Sequence, residues 1–277
     1  MATFPFRFGT GSYTWLQGAA ANASATRLDH MIELTAQAGM EGGEPIHYSM
    51  GDFSEAKPLV ISLERNGVHL AALALVLPWN EPAEAEWERE EADRVIELLT
   101  HFPGALLCTI QAPTDRERLE ERRLNLVANV NAVSRRAAER GVRSTFHPVS
   151  HHPSINRTVE DYEVILGGLD REVTGWTPDT GHIISGGMDP LATMMRWQPL
   201  INHVHFKDWD GNPGFALLGT GKVDFIGIAR WLQSWNYRGW IICEDEAAAA
   251  VDDPDEVTLQ HGRWIRDVLK PALSGTN

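Results

Sequence analysis

The sequence predicts a single-domain (β/α)8 barrel over residues 1–277, and three observations carry that reading. Short apolar runs of β-like composition alternate with amphipathic helical patterns from end to end, which is the signature of βα units on a parallel sheet. About eight such units fit the chain, the number a closed barrel of ~250 residues requires. The late strand-like runs also end on polar residues, as strands do where a barrel builds its chemistry.

The first strand is expected at 6–10, Phe6-Arg7-Phe8-Gly9-Thr10, followed by a helix through Leu28, Ile32, Leu34 and Ala38. A second strand lies around Gly43-Glu44-Pro45-Ile46, with a helix near 56–65. Residues 68–77 are apolar and bounded by Gly67 and Pro78, so they read as the third strand, and 85–99 as a charged amphipathic helix. The fourth strand is 105–111. The segment 115–140 offers many opposite charges at i, i+4 spacing and stops at Gly141, before a fifth strand at 142–147. Strands around 175–179, 201–207 and 240–244 complete the set, with helices near 190–197, 224–235 and 257–269. An open doubly wound sheet is disfavoured, because Gly9-Thr10-Gly11 begins a dinucleotide fingerprint but does not complete one.

Composition narrows the function. A formal charge of -14 argues against tracking a nucleic-acid backbone, which needs basic patches to displace counterions. No apolar run approaches the ~18 residues of a membrane span, and the first residues lack the pattern of a secretory leader, so the cytoplasm is expected. Cys108 and Cys243 each sit in an apolar strand-like run and are expected as packed thiols rather than a disulfide. Assembly into a homo-oligomer is left open.

The polar residues fall at the strand ends. The fifth strand finishes Thr145-Phe146-His147-Pro148, the sixth Pro178-Asp179-Thr180-Gly181-His182, the seventh His203-Val204-His205-Phe206-Lys207-Asp208 and the eighth Cys243-Glu244-Asp245-Glu246. Such a set offers imidazole and carboxylate ligands without thiolate, which suits Mn2+, Mg2+, Co2+, Fe2+ or Zn2+, with Mn2+ favoured. Each feature has a plain reading too. Asp-Thr-Gly-His is often a capped turn, one of the two histidines can be core, Lys207 can merely pair with Asp208, and the acidic run can be a solvated cap. Joint occurrence at four successive strand ends favours a site over coincidence.

At these residues the chain resembles the xylose isomerase-like sugar phosphate isomerase/epimerase superfamily, and the similarity covers nearly the whole sequence. The matching stretches are the strand ends just given, with Gly186-Gly187-Met188-Asp189-Pro190, Leu218-Gly219-Thr220-Gly221-Lys222-Val223-Asp224 and Gly239-Trp240-Ile241-Ile242-Cys243-Glu244. The resemblance implies Asp179, His205 and Glu244 as metal ligands and His182 as a histidine that supports those ligands or touches the substrate. One departure stands out. Where the epimerases and isomerases of that superfamily carry a fifth-strand glutamate, this chain carries His147, and no Asp or Glu lies between Val142 and Thr158. Phe146-His147-Pro148 resembles the corresponding segment of inosose dehydratases.

The implied chemistry removes a proton beside a carbonyl, with the metal as Lewis acid on the developing enolate oxygen. His147 is a candidate ligand, base or both, since neutral imidazole titrates near physiological pH. Glu244 is the other candidate base, His182 and Lys207 are candidates for substrate oxygens, and Glu246 is an outer residue. Trp15, Glu44, His47 and Trp209 are candidates to line the pocket, and Trp79 agrees with an aromatic surround. The implied substrate is a small keto-sugar or keto-cyclitol, dehydrated or isomerised. A ketose epimerase, a lyase subunit cleaving carbon-linked glycosides, an abasic-site endonuclease and a non-catalytic binding subunit are the competing readings.

Overall fold

The computed structural model describes residues 4–17, 28–113, 115–211 and 214–275, so the first three residues of the start read for a leader lie outside it. Its strands are β1 Arg7–Gly11, β2 Gly42–Glu44, β3 His69–Leu70, β4 Ala72–Leu77, β5 Leu106–Gln111, β6 Arg143–His147, β7 Thr174–Trp176, β8 Val204–Phe206, β9 Asp208–Trp209, β10 Phe215–Ala216 and β11 Trp240–Cys243. The helices between and after them are α1 Leu28–Gln37, α2 Ala56–Asn66, α3 Glu86–Leu99, α4 Leu119–Glu139, α5 Val159–Gly168, α6 Thr180–Ser185, α7 Pro190–Arg196, α8 Phe225–Ser234, α9 Ala248–Asp252, α10 Pro254–Trp264 and α11 Lys270–Ser274. No helix among the described residues is long and apolar enough to cross a membrane.

The chain divides into two compact units, Met1–Ala71 with Val204–Asn277, and Ala72–His203. In the first, a parallel sheet runs β3-β2-β1-β11-β8, with Gly9 opposite both Gly42 and Ile242. Trp240 and Ile242 pack with Ala71 in its core, and the Arg7 guanidinium stacks 3.8 Å from the centre of the Trp240 ring. In the second, a parallel sheet runs β4-β5-β6-β7, and its fully buried Phe146 and Trp176 lie at paired positions.

Local chemistry sets the boundaries. Asp189, Asp224 and Asp253 each accept a backbone N–H from the first turn of α7, α8 and α10, and Thr158 and Asp161 cap α5 reciprocally. The expected stop at Gly141 is real: φ there is +76°, which glycine adopts without strain, and α4 ends two residues earlier. The expected third strand, 68–77, is instead two pieces with different neighbours, β3 on β2 and β4 on β5. The sixth strand is shorter than expected and stops at Trp176. Pro178 has no N–H to continue a ladder, so Asp179 begins the next helix as its cap rather than ending a strand. The terminal helix continues from α10 through one π turn, Ile265–Leu269, into α11. Cys108 and Cys243 are both buried free thiols.

Candidate active site

In the first unit the strand ends converge on an ammonium between two carboxylates. Lys207, 1% exposed, stands with Nζ 2.6 Å from Glu244 and 2.5 Å from Glu246. Gly11 ends β1 and leaves room for this arrangement, since a Cβ there would lie 2.6 Å from Glu244 Oε2. Glu44, the last residue of β2, places its carboxylate 3.1 Å from Nε2 of His205 on β8, and both are buried. The rings of Phe215 and Tyr13 flank Lys207, with centroids 5.3 and 5.9 Å from its nitrogen. Burial first, then the charge of Glu246 against the opposing pull of Lys207, with Glu244 adding to the rise, pushes the Tyr13 hydroxyl up to about 12.

The intervening aspartates serve a different purpose. Asp208 follows Lys207 and Asp245 follows Glu244, and successive residues of an extended chain point to opposite sides. Asp208 accepts the backbone N–H groups of Gly219, Gly221 and Val223 at 3.0, 2.8 and 3.2 Å. Asp245 accepts those of Leu218 and Ala247 and meets Nε2 of His261 at 3.3 Å. Both carboxylates are buried, so each bond replaces lost hydration. Together they hold the loop 217–223 from two strand ends.

In the second unit, His147 ends β6 with Nε2 3.5 Å from Asp179 Oδ2, and its ring meets that of His182 edge-on at 5.8 Å. Asp179 uses its other oxygen to accept the His182 N–H at 2.8 Å, which seats α6. The Ser150 N–H donates to His182 Nδ1 at 3.2 Å, with the Ser150 hydroxyl 3.0 Å from the same atom. A backbone N–H can only donate, so Nδ1 is the acceptor and a neutral His182 carries its proton on Nε2. Burial, then Asp179 and Asp161, raises the Tyr162 hydroxyl well above its ordinary range. Asp161 is itself buried and held by Arg116 and Arg123.

Most of the residues singled out from sequence are thus placed at strand or helix ends. Two plain readings are corrected: Lys207 pairs with Glu244 and Glu246, whereas Asp208 is occupied by loop backbone, and the acidic run is no solvated cap, since Glu244 and Glu246 are ion-pair partners with side chains 10% and 8% exposed. Trp15 is buried and donates its indole N–H to Asp255 at 2.7 Å. His47 is half-buried, edge-on to the exposed Tyr48 at 5.3 Å, and Trp209 meets Phe215 edge-on at the same separation. Trp79 is fully buried with φ 45° and gives its backbone N–H to Glu88. Sequence reading passed over Tyr13, Tyr48, Ser150 and Asp245. The strand alternation around Glu244 was the available signal for Asp245, and nothing local marked the others.

A family model described as "Xylose isomerase-like TIM barrel" matches residues 32–268. Among curated proteins, the chain is 26% identical to an inosose dehydratase of Clostridium beijerinckii, across 51% of this chain and 53% of that protein. It spans about half the length of the curated relatives it matches. Among solved structures, the probable 3-DHS dehydratase AsbF of Bacillus anthracis gives a TM-score of 0.73 at 14% identity, covering 95% of this chain and all of the other. The IolI protein with a binding zinc atom gives 0.74 at 16% identity, covering 97% and 98%. At such identities the structural likeness shows the fold.

Proposed function

Because the chain belongs to the xylose isomerase-like TIM barrel family, whose fold is the one read from its sequence, we propose that it is a metal-dependent enzyme. In this reading it removes a proton beside the carbonyl of a keto-cyclitol or keto-sugar and expels water from the carbon β to that carbonyl. Residues 1–277 act as one domain, and the strand C-termini of such a barrel share one rim.

The observation that carries the reading is His147. It is a buried imidazole, with a carboxylate partner and a histidine neighbour, in a fifth-strand position without a carboxylate. A symmetric exchange of protons between two opposed carboxylates is harder to arrange around such a residue, whereas elimination needs one base, one acid and a stabilised oxygen. His147 or Glu244 takes the proton. His182 offers its Nε2–H to a substrate oxygen, and Lys207 keeps Glu244 and Glu246 in place beside the substrate.

The donor types we propose suit a divalent ion: imidazole from His147 and His205, and carboxylate from Asp179 and Glu244, all buried and none a thiolate. When bound, that ion supplies a Lewis acid for the charge that develops on the carbonyl oxygen, and Mn2+ is our choice among Mn2+, Mg2+, Co2+, Fe2+ and Zn2+. Glu44 orients His205 through its 3.1 Å contact.

The inosose dehydratase named above supports elimination. The alternative is epimerisation or isomerisation of a ketose, which the same proton abstraction allows. Incubation with ketoses, inososes and 3-keto glycosides in deuterated water with Mn2+ separates the two. Loss of water is the expected result. Deuterium at one carbon with unchanged composition marks an epimerase or isomerase, release of an aglycone marks a glycoside-cleaving lyase, and either overturns the dehydratase assignment.

A further inference from the structure

We infer that the starts of β6 and β7 form a binding site for a protonated phosphate group, separate from the strand ends that carry the candidate chemistry. The inference stands independently of the reaction proposed above.

A cavity of about 170 Å³ lies against these strand starts and the segment that leads up to His203, wholly within the second unit. Ser144 and Thr174 line it from paired positions on β6 and β7, so their side chains share one face of the sheet. The two residues are 1% and 2% exposed, and neither hydroxyl has a hydrogen-bond partner among the described residues. Asn202 lines the same cavity. It donates its amide N–H to the Ser144 carbonyl at 2.9 Å, which fixes the orientation of the amide and leaves Oδ1 buried without a donor among the described residues. Gly175 makes room for that amide, since a Cβ there would run into it. Three buried polar atoms left open around one small space are poorly explained by packing, because each loses hydration without a replacement.

Two cations complete the lining. Arg143 and Arg171 are exposed, and among the described residues neither guanidinium is paired with a carboxylate. In a chain of formal charge -14, where acidic partners are in excess, two unpaired arginines on one cavity point to an anion. Glu172, also exposed on the lining, offsets only one of the two charges. The set is therefore two guanidiniums and two hydroxyls that donate, and one amide oxygen that accepts. A phosphate that keeps one P–OH matches it: the bare oxygens take the guanidinium and hydroxyl hydrogens, and the remaining hydrogen goes to Asn202. Sulfate has no such hydrogen and would set a bare oxygen against the amide oxygen. A buried water would serve the hydroxyls but leave the arginines unanswered. The two hydroxyls project away from the side of β6 that carries Thr145 and His147, and His147 lies three residues beyond Ser144, about 10 Å along the strand.

The test is calorimetric titration of the full chain with inorganic phosphate, glycerol 1-phosphate and sulfate at fixed ionic strength. Chelator is present so that no metal captures the anion elsewhere, and the pH is about 6, where both phosphates hold a proton and sulfate does not. One phosphate per chain is expected, bound at least about tenfold more tightly than sulfate. Arg171→Ala should weaken it at least about tenfold and Thr174→Val about threefold, the scales of a charge-assisted and a neutral hydrogen bond. Both substitutions remove groups that have no partner in the protein, so the unfolding midpoint in chloride should stay where it is, and phosphate should raise it less in either variant than in the unsubstituted protein. Preference for the ester or for the free ion names the source of the group and supports the site in either case. No binding of phosphate, sulfate held as tightly as phosphate, or an affinity unchanged in both variants overturns the inference.

Discussion

Replacing Lys207 by methionine keeps the length of the side chain but removes the ammonium that stands 2.6 Å from Glu244 and 2.5 Å from Glu246. The two carboxylate side chains are only 10% and 8% exposed, so water screens them little once the cation is gone. Removing one partner from a buried pair costs about 3–5 kcal/mol, because the remaining charge keeps its desolvation penalty without its compensation. At about 2–4 °C per kcal/mol for a chain of this size, the midpoint of thermal unfolding should fall by about 6–20 °C. The assay is scanning calorimetry at neutral pH in chelator, so that no ion can replace the ammonium. Glu246→Gln added to Lys207→Met should recover roughly half the loss by leaving a single carboxylate, a coupling that a double-mutant cycle reads directly. An unchanged midpoint in the single variant, or a double variant no more stable than the single one, refutes the clamp.

The Asp161 carboxyl sits below its ordinary range: burial works to raise it, but bonds from Arg116, the Thr158 N–H, Arg123 and the Arg157 N–H outweigh burial. Its contribution is therefore present above about pH 4 and lost as pH falls through the folded-state value, so Asp161→Asn should lower the unfolding midpoint at pH 7, with the gap closing below about pH 4. Unfolding curves of both proteins across pH check this. His147→Gln should cut turnover by ~10²–10⁴ with an unchanged unfolding midpoint of the protein in chelator, and an unaffected rate shows that the residue is neither ligand nor base. Chelator should lower the midpoint of the metal-loaded protein, and His205→Ala should abolish that difference, as a ligand that binds only the folded state requires. Cys108 and Cys243 are fully buried, and burial and then Asp245 raise the Cys243 thiol, so a thiol reagent should modify neither in native protein and both after denaturation.

The sequence disclosed the elements whose periodicity is strong. Helices α2, α3 and α8 and strands β5 and β6 lie within one residue of their expected positions, since each combines a regular apolar pattern with a clear stop. Boundaries set by hydrogen bonding were not legible: the break at Ala71 depends on which neighbour each half of the run pairs with, and β7 ends early because the chain turns into α6 directly after Pro178. At the candidate site, strand-end logic found His147, Glu44, His205, Lys207 and Glu244 because a polar residue ending an apolar run is visible one residue at a time. It could not find Tyr13, Tyr48 or Ser150. Their significance comes from neighbours distant in the chain, such as Ser150 beside His182 and Tyr13 beside Lys207, and an aromatic or a serine after a strand has no distinctive pattern of its own.

The loop that Asp208 and Asp245 hold can be regarded as a replaceable cassette with fixed mounting points. What the two aspartates grip is backbone N–H at Leu218, Gly219, Gly221 and Val223, and every amino acid but proline supplies that group. Two of the mounts also require glycine, since φ at Gly219 is +84° and a Cβ there would run into the Trp264 ring, and a Cβ at Gly221 would run into the Asp208 carboxylate. Thr220 and Lys222 are exposed and carry none of these four grips, so their side chains can be exchanged while the carboxylates stay where they are. Inserting or deleting a single residue between the mounts, by contrast, would strand a buried aspartate without its donors, and a proline at any of the four positions would do the same.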